Sequence, residues 1–263
     1  MEQDRKFKIV SSKKTRYLLP NILTLGGVCL GISSIKFSID GNFSLAVTLI
    51  LLAAILDALD GRVARLIKGT SEFGKELDSL TDFVSFGIAP VLILYFWELN
   101  TYGKLGWAIA LIYSVCCVLR LARFNLTKIS NHQDWKNNFF EGIPSPVGGI
   151  LILTPLIFEL SIFNINFDLK IITPYLTIMI AFLLVSKIPT LSLKKISISS
   201  KTTVFVLLAI GIIFISLLIY TFETLLIFSF LYLFSIPGSI FIFKKLQKKY
   251  STKISDEDHE DIL

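Results

Sequence analysis

Eight apolar stretches separated by short polar loops run the length of the sequence and set what it can fold into. They are expected near Leu18–Ile35, Phe43–Leu59, Leu77–Trp97, Leu105–Ala122, Val147–Phe163, Ile171–Ser186, Thr203–Tyr220 and Leu225–Phe243. Each is close to the roughly 17–25 residues that a helix needs to cross a bilayer core. Within lipid a segment has to satisfy its own backbone groups, and a helix does so internally. Only 17% of residues are charged and 53% are hydrophobic, against about 25% charged in an average globular chain. A cytosolic globular domain, a disordered chain and a secreted disulfide scaffold are thereby excluded. The expectation is an all-α integral membrane protein with about eight transmembrane helices. A long basic lead precedes the first stretch and no A-x-A site follows it, so it is expected to stay as a helix, not a cleaved signal.

The loops orient the chain. Met1–Arg16 carries Arg5, Lys6, Lys8, Lys13, Lys14 and Arg16, and the loops after the even-numbered spans carry most of the rest. Of the 26 basic residues, 23 fall on one side, with only Lys36, Lys104 and Lys170 on the other. By the positive-inside rule both termini are expected in the cytoplasm. The net charge of +6 is then explained without a nucleic-acid partner. The acidic stretch Asp256–Asp261 reads as a solvated, disordered end.

Cys29, Cys116 and Cys117 lie in apolar runs without C-x-x-C spacing and read as small buried residues. His132 and His259 stand in polar segments with no triad partner nearby. Any metal is expected to be a hard cation held by oxygen.

Four aspartates break the apolar pattern within one 26-residue window: Asp57, Asp60, Asp78 and Asp82. Charge at membrane depth costs about 2.5–3.5 kcal/mol per residue on insertion scales, so this concentration needs a reason. On a helix Asp57 and Asp60 share a face, with Gly61 and Ala64 four residues beyond them. Gly74, Asp78 and Asp82 form a second stripe at i, i+4 and i+8. A lone pair of aspartates would serve as an N-cap or sit in solvent, and Lys75 could pair with Asp78 or Asp82 in a structural network. Four converging carboxylates cannot all stay ionised without counter-charge. Two Mg²⁺ or Mn²⁺ ions would neutralise the set. Gly61, Ala64 and Gly74 would let a ligand approach the backbone. Arg62, Arg65, Lys68 and Lys75 would supply charge for phosphate oxygens. Metal, phosphate and a basic rim together suit phosphoryl transfer at the membrane surface.

The spacing D-x-x-D-G-x-x-A-R-x8-G-x-x-x-D-x-x-x-D resembles the signature of the CDP-alcohol phosphatidyltransferase family, and Asp57, Asp60, Gly61, Ala64, Arg65, Gly74, Asp78 and Asp82 fill every position. The resemblance implies a six-helix membrane core that moves a phosphatidyl group from a CDP-linked lipid to an alcohol and releases CMP. It also implies two divalent cations on the aspartates, Asp82 as the base for the acceptor hydroxyl, and Gly61, Ala64, Arg65 and Gly74 at the CDP site. Asn21 and Thr24 share a helical face near the chain start and are expected to reach the same site. The expected organisation is a basic segment over 1–16, a catalytic core over 17–190, two added helices over 191–245 and a charged tail over 246–263.

The acceptor is less constrained. Arg120-Leu-Ala-Arg123-Phe-Asn125 ends the fourth span, and Glu141-Gly-Ile-Pro-Ser145-Pro-Val-Gly-Gly149 opens the fifth. Arg120 and Arg123 can snorkel to the interface or bind an acceptor carboxylate or phosphate, with Asn125 beside them. The prolines either mark a simple boundary or shape a substrate turn, and the paired glycines allow close packing. Both segments resemble the branch of the family whose acceptor is L-serine and whose donor is CDP-diacylglycerol. Glycerol 3-phosphate or another alcohol remains an alternative acceptor, and a cation transporter is the alternative from another class. Membrane lipids are the expected surroundings, in the inner membrane of a bacterium, and the outer helices could also serve a homodimer.

Overall fold

The computed structural model describes residues 18–67, 69, 71–127, 139–162, 169–191 and 200–260. The basic segment 1–16, Lys68 and His132 lie outside the described residues. The described residues are almost entirely helical: α1 (Leu18–Ile39), α2 (Phe43–Leu66), α3 (Glu72–Asp82), a π-helical turn (Phe83–Ile88), α4 (Ala89–Trp97) and α5 (Lys104–Thr127). Then come α6 (Ser145–Ile152), α7 (Thr154–Leu160), α8 (Thr173–Val185), α9 (Ser200–Ile219) and α10 (Thr221–Glu260). Among the described residues, five helices are long and apolar enough to cross a membrane: Leu18–Ile39, Phe43–Leu66, Glu72–Trp97, Lys104–Leu126 and Thr221–Gln247. The protein is an integral membrane protein.

The other expected spans are shorter or broken. The fifth is split into α6 and α7, because Pro155 has no N–H to give the Leu151 carbonyl. Thr154 Oγ1 donates to that carbonyl instead, at 2.7 Å. The last helix continues to Glu260 rather than stopping near Phe243, so Asp256–Glu260, expected as disordered, are helical, and Asp261 lies outside the described residues. Two short strands were not expected: β1 (Phe139–Glu141) pairs antiparallel with β2 (Pro189–Leu191), Phe140 opposite Thr190. Gly142 follows β1 with φ +74°, and a Cβ there would stand 2.8 Å from the Leu184 carbonyl oxygen. Only glycine fits that turn, which delivers Ser145 to the start of α6.

Small residues hold the bundle close. The buried face of α1 is Thr24, Gly27, Gly31, Ser34 and Ser38, a helical stripe with almost no side-chain volume. Ser85 in the π turn packs into it and donates to the Gly27 carbonyl at 3.1 Å. Such stripes let backbones approach where lipid supplies no hydrophobic drive. Cys29 falls on the opposite, exposed side of α1, contrary to the expectation of burial, whereas Cys117 is buried against Gly87. The π turn is clamped from α5: Tyr113 donates to the Phe86 carbonyl at 3.0 Å and Ser114 to that of Gly87 at 3.2 Å. Tyr113 and Phe86 belong to the buried core with Leu94, Leu151, Ile152 and Leu184.

The α1 interface makes a prediction. A Cβ on Gly31 would lie 2.9 Å from Ser85 Oγ and 3.0 Å from Ser85 Cα, whereas one on Gly26 meets only the Leu56 methyl at 3.3 Å. Gly31→Leu should therefore destabilise the protein by about 1–3 kcal/mol, the usual cost of overpacking, and Gly26→Ala should be nearly neutral. Thermal melting in detergent checks this, and equal melting of the two variants would contradict it.

Candidate metal and substrate site

The end of α2 and the start of α3 meet beside the first turns of α1. Asp57, Asp60, Gly61 and Ala64 lie on the last turns of α2, and Gly74 and Asp78 on the first turns of α3. Ser71 caps α3, its hydroxyl accepting from the Gly74 N–H at 3.0 Å. A cleft opens here, lined by Pro20, Asn21, Thr24, Asp60, Gly61, Ala64, Gly69, Ser71, Gly74, Lys75 and Asp78. Five residues expected at the nucleotide site, Asn21, Thr24, Gly61, Ala64 and Gly74, thus share one cavity. A Cβ on Gly74 would come within 3.1 Å of Asn21 Oδ1, whereas one on Gly61 would meet nothing within 4 Å. Gly74 is small for packing; Gly61 leaves room for a ligand.

Asp57, Asp60 and Asp78 each bring a carboxylate oxygen to within 4.8 Å of the others. Asp60 is only 5% exposed, and Thr24 Oγ1 donates to its Oδ2 at 2.7 Å. Three carboxylates this close repel one another strongly in a poorly solvated place. A hard divalent cation with oxygen ligands relieves that repulsion, so the set can hold a metal ion.

Asp82, one turn beyond Asp78, stands beside Asp57. Ser145 Oγ donates to its Oδ2 at 2.9 Å, and Arg120 donates through a terminal guanidinium nitrogen to Ser145 Oγ at 2.8 Å. Asp82 Oδ1 is buried without a hydrogen-bond partner among the described residues. A buried acceptor left this way costs about 1–3 kcal/mol or more, and a cation or a substrate hydroxyl would satisfy it. The residues present therefore fit a divalent cation.

The remaining expected site residues have structural partners. Arg65 Nε donates back to the Gly61 carbonyl at 2.9 Å, on the exposed side of α2, and does not line the cleft. Lys75 pairs with Glu72 at 2.7 Å. Arg123 grips the end of α8, donating to the carbonyls of Val185 at 2.6 Å and Ser186 at 3.0 Å. This neutralises the negative end of that helix. Asn125 Nδ2 donates to Ser79 Oγ at 3.0 Å, tying α5 to the residue next to Asp78. Arg120 is 7% exposed, its guanidinium over the Phe124 ring at 5.5 Å.

Sequence reasoning treated Ser145 as part of a turn and missed it as the link between Arg120 and Asp82. The available signal was a serine between two prolines, which fixes the chain at the entry to α6 and aims that side chain. The partner, Asp82, lies 63 residues earlier, a pairing that local spacing cannot reveal.

A family model described as CDP-alcohol phosphatidyltransferase matches residues 17–236. A CDP-diacylglycerol–serine O-phosphatidyltransferase of Mycobacterium leprae is 43% identical over 144 residues, 54% of this chain and 48% of the relative. The chain thus spans about half the length of the mycobacterial relative. A protein of the same name from Helicobacter pylori is 34% identical over 231 residues, 88% of this chain and 94% of the relative. An archaetidylserine synthase of Methanothermobacter thermautotrophicus is 37% identical over 139 residues, 51% of this chain and 55% of the relative.

Asp60→Asn removes one charge from the cluster while keeping the acceptor for Thr24. It should weaken Mn²⁺ binding to the detergent-solubilised protein by about tenfold or more, by analogy with loss of a strong polar partner. Calorimetric titration reads this, and unchanged affinity with unchanged helix content would contradict the assignment.

Proposed function

The chain belongs to the CDP-alcohol phosphatidyltransferase family, and on that premise we propose that it transfers the phosphatidyl group of CDP-diacylglycerol to the hydroxyl of L-serine, giving phosphatidylserine and CMP. The observation that carries this reading is the buried chain Arg120–Ser145–Asp82 set against the acidic cluster. It places a fixed carboxylate with one open oxygen beside a cationic group, which suits an acceptor bearing both a hydroxyl and a carboxylate. The serine transferases among the relatives favour the same acceptor. Family membership favours an enzyme over an ion pathway for the acidic cluster.

Asp57, Asp60, Asp78 and Asp82 would hold two divalent cations, Mg²⁺ or Mn²⁺. When bound, these supply charge neutralisation for the pyrophosphate and the departing CMP. Asn21, Thr24, Gly61, Ala64 and Gly74 form the cleft for the CDP moiety. Asp82 takes the proton of the serine hydroxyl on its open oxygen. The hydroxyl oxygen bonds to the phosphorus bearing diacylglycerol, and the bond from that phosphorus to the CMP oxygen breaks. Ser145 keeps Asp82 oriented by occupying its other oxygen, as a base needs. Arg120 meets the acceptor carboxylate, while Arg123 and Asn125 fix the walls around it. The cleft lies at the membrane end that carries Arg62, Arg65, Lys75, Arg120 and Arg123, so we place that end and both termini in the cytoplasm, in a bacterial inner membrane.

Purified protein given CDP-diacylglycerol, Mg²⁺ or Mn²⁺ and serine should release CMP, and Asp82→Asn should lower the rate by about 10²-fold or more, as loss of a general base does. Near-full activity of Asp82→Asn would remove it as the base. Release with glycerol 3-phosphate but not with serine would overturn the acceptor.

A further inference from the structure

α10 follows every residue so far given a role, yet it is bonded to the hairpin that precedes Ser145. Ser239 on α10 is fully buried, and its hydroxyl donates to the Pro189 carbonyl at the start of β2, at 2.7 Å. The Ile236 carbonyl of its own helix lies equally near, at 2.7 Å, so the two acceptors share one proton. A helical serine commonly bonds back to its own backbone. The bond to Pro189 is the one that helix geometry alone does not supply.

From Pro189 the path continues through side chain and backbone. Thr190, the next residue of β2, is buried and donates to the Gly142 carbonyl at 2.7 Å. The Gly142 N–H donates in turn to the Ile188 carbonyl at 2.8 Å. Gly142 is thus held at both its backbone groups by the residues on either side of Pro189. Only Ile143, which is buried, and Pro144 separate it from Ser145. Pro144 and Pro146 each fix their own φ, so little freedom remains for the serine between them. A displacement of β2 is therefore passed to the Ser145 hydroxyl, which lies 2.9 Å from Asp82 Oδ2 and 2.8 Å from an Arg120 nitrogen.

We propose that Ser239 is a positioning residue for the transfer reaction: it holds β2, and through Gly142 the turn before α6, so that Ser145 stays on Asp82. This role rests on the reading of Asp82 as the base and deepens it. α10 then contributes to the reaction without touching substrate, and the hairpin is the strut that connects them. A purely structural bond would act on stability alone and independently of Ser145, and the two roles separate by experiment.

Ser239→Ala removes the hydroxyl, and kcat and KM are measured from CMP release with serine and CDP-diacylglycerol, beside the melting temperature. Moving a catalytic group by about 1 Å can cost about 10²-fold, so loss of one tether among several should lower kcat by about tenfold. KM for CDP-diacylglycerol should stay as in the wild type. Ser235→Ala, which removes a hydroxyl bonded only within α10 at 2.7 Å, should leave kcat unchanged. In a Ser145→Ala background, adding Ser239→Ala should change kcat by less than about twofold, because both substitutions break one path. Thr190→Val should behave as Ser239→Ala does, and it carries the same cycle if Ser239→Ala does not fold. Amide hydrogen exchange over residues 139–149 should be faster in Ser239→Ala than in Ser235→Ala, a readout that needs no turnover. Wild-type kcat in Ser239→Ala overturns the proposal. So does an equal fold-loss in both backgrounds, or exchange over 139–149 that does not change. Wild-type protein that releases no CMP with serine overturns the transferase reading itself, and this inference with it.

Discussion

Mutual repulsion among carboxylates is the constraint around which this molecule is arranged. Oxygens of Asp57, Asp60 and Asp78 lie within 4.8 Å of one another, at a membrane end where water screens them poorly. No lysine or arginine bonds to Asp60 among the described residues; its side-chain partner is the hydroxyl of Thr24. The basic residues nearby, Lys75 and Arg65, are engaged with Glu72 and the Gly61 carbonyl. Such a cluster can hold a hard cation, and the cleft beside it has room for a ligand. Space for that ligand exists because Gly61 and Ala64 leave the α2 side of the cleft bare.

Close helix approach is what brings the carboxylates together. The small face of α1 allows α2 and the helix beginning at α3 to pack against it, with Ser85 seated on Gly27 and Gly31. Directly after Asp82 the chain widens into the π turn, whose carbonyls Tyr113 and Ser114 bind. π turns recur at functional sites because they reset the direction of side chains along a helix. Here the turn follows the one aspartate that points toward Arg120 and Ser145 instead of into the cleft. One acidic stripe thereby serves two neighbouring places: the carboxylate cluster at the cleft, and the buried Arg120–Ser145–Asp82 chain.

Local spacing made the first of these places legible. Asp57 with Asp60, and Gly74 with Asp78, are fixed by helical periodicity, and any chain that forms α2 and α3 presents them as faces. Charge bias and apolar run length showed a multi-helix membrane protein for the same reason, since both are properties of contiguous sequence. Long-range pairings were not legible. Ser145 with Asp82, Arg123 with the end of α8, and Ser239 with the Pro189 carbonyl join residues from separate elements, and only the packed bundle sets them side by side. Arg123 shows the difference well: its spacing from Arg120 is compatible with a substrate contact, but the exposed carbonyls of Val185 and Ser186 hold it. Breaks within elements also escaped, because the split at Pro155 depends on whether Thr154 takes over the freed Leu151 carbonyl.

The central claim is that a serine hydroxyl displaces CMP at the phosphorus of CDP-diacylglycerol. Serine labelled with ¹⁸O in its hydroxyl tests it most directly, with lipid and nucleotide products analysed by mass spectrometry after reaction with Mn²⁺. The account predicts phosphatidylserine that carries the label and CMP that does not. Labelled phosphatidylserine failing to form, while CDP-diacylglycerol is consumed by another alcohol or by water, would contradict it.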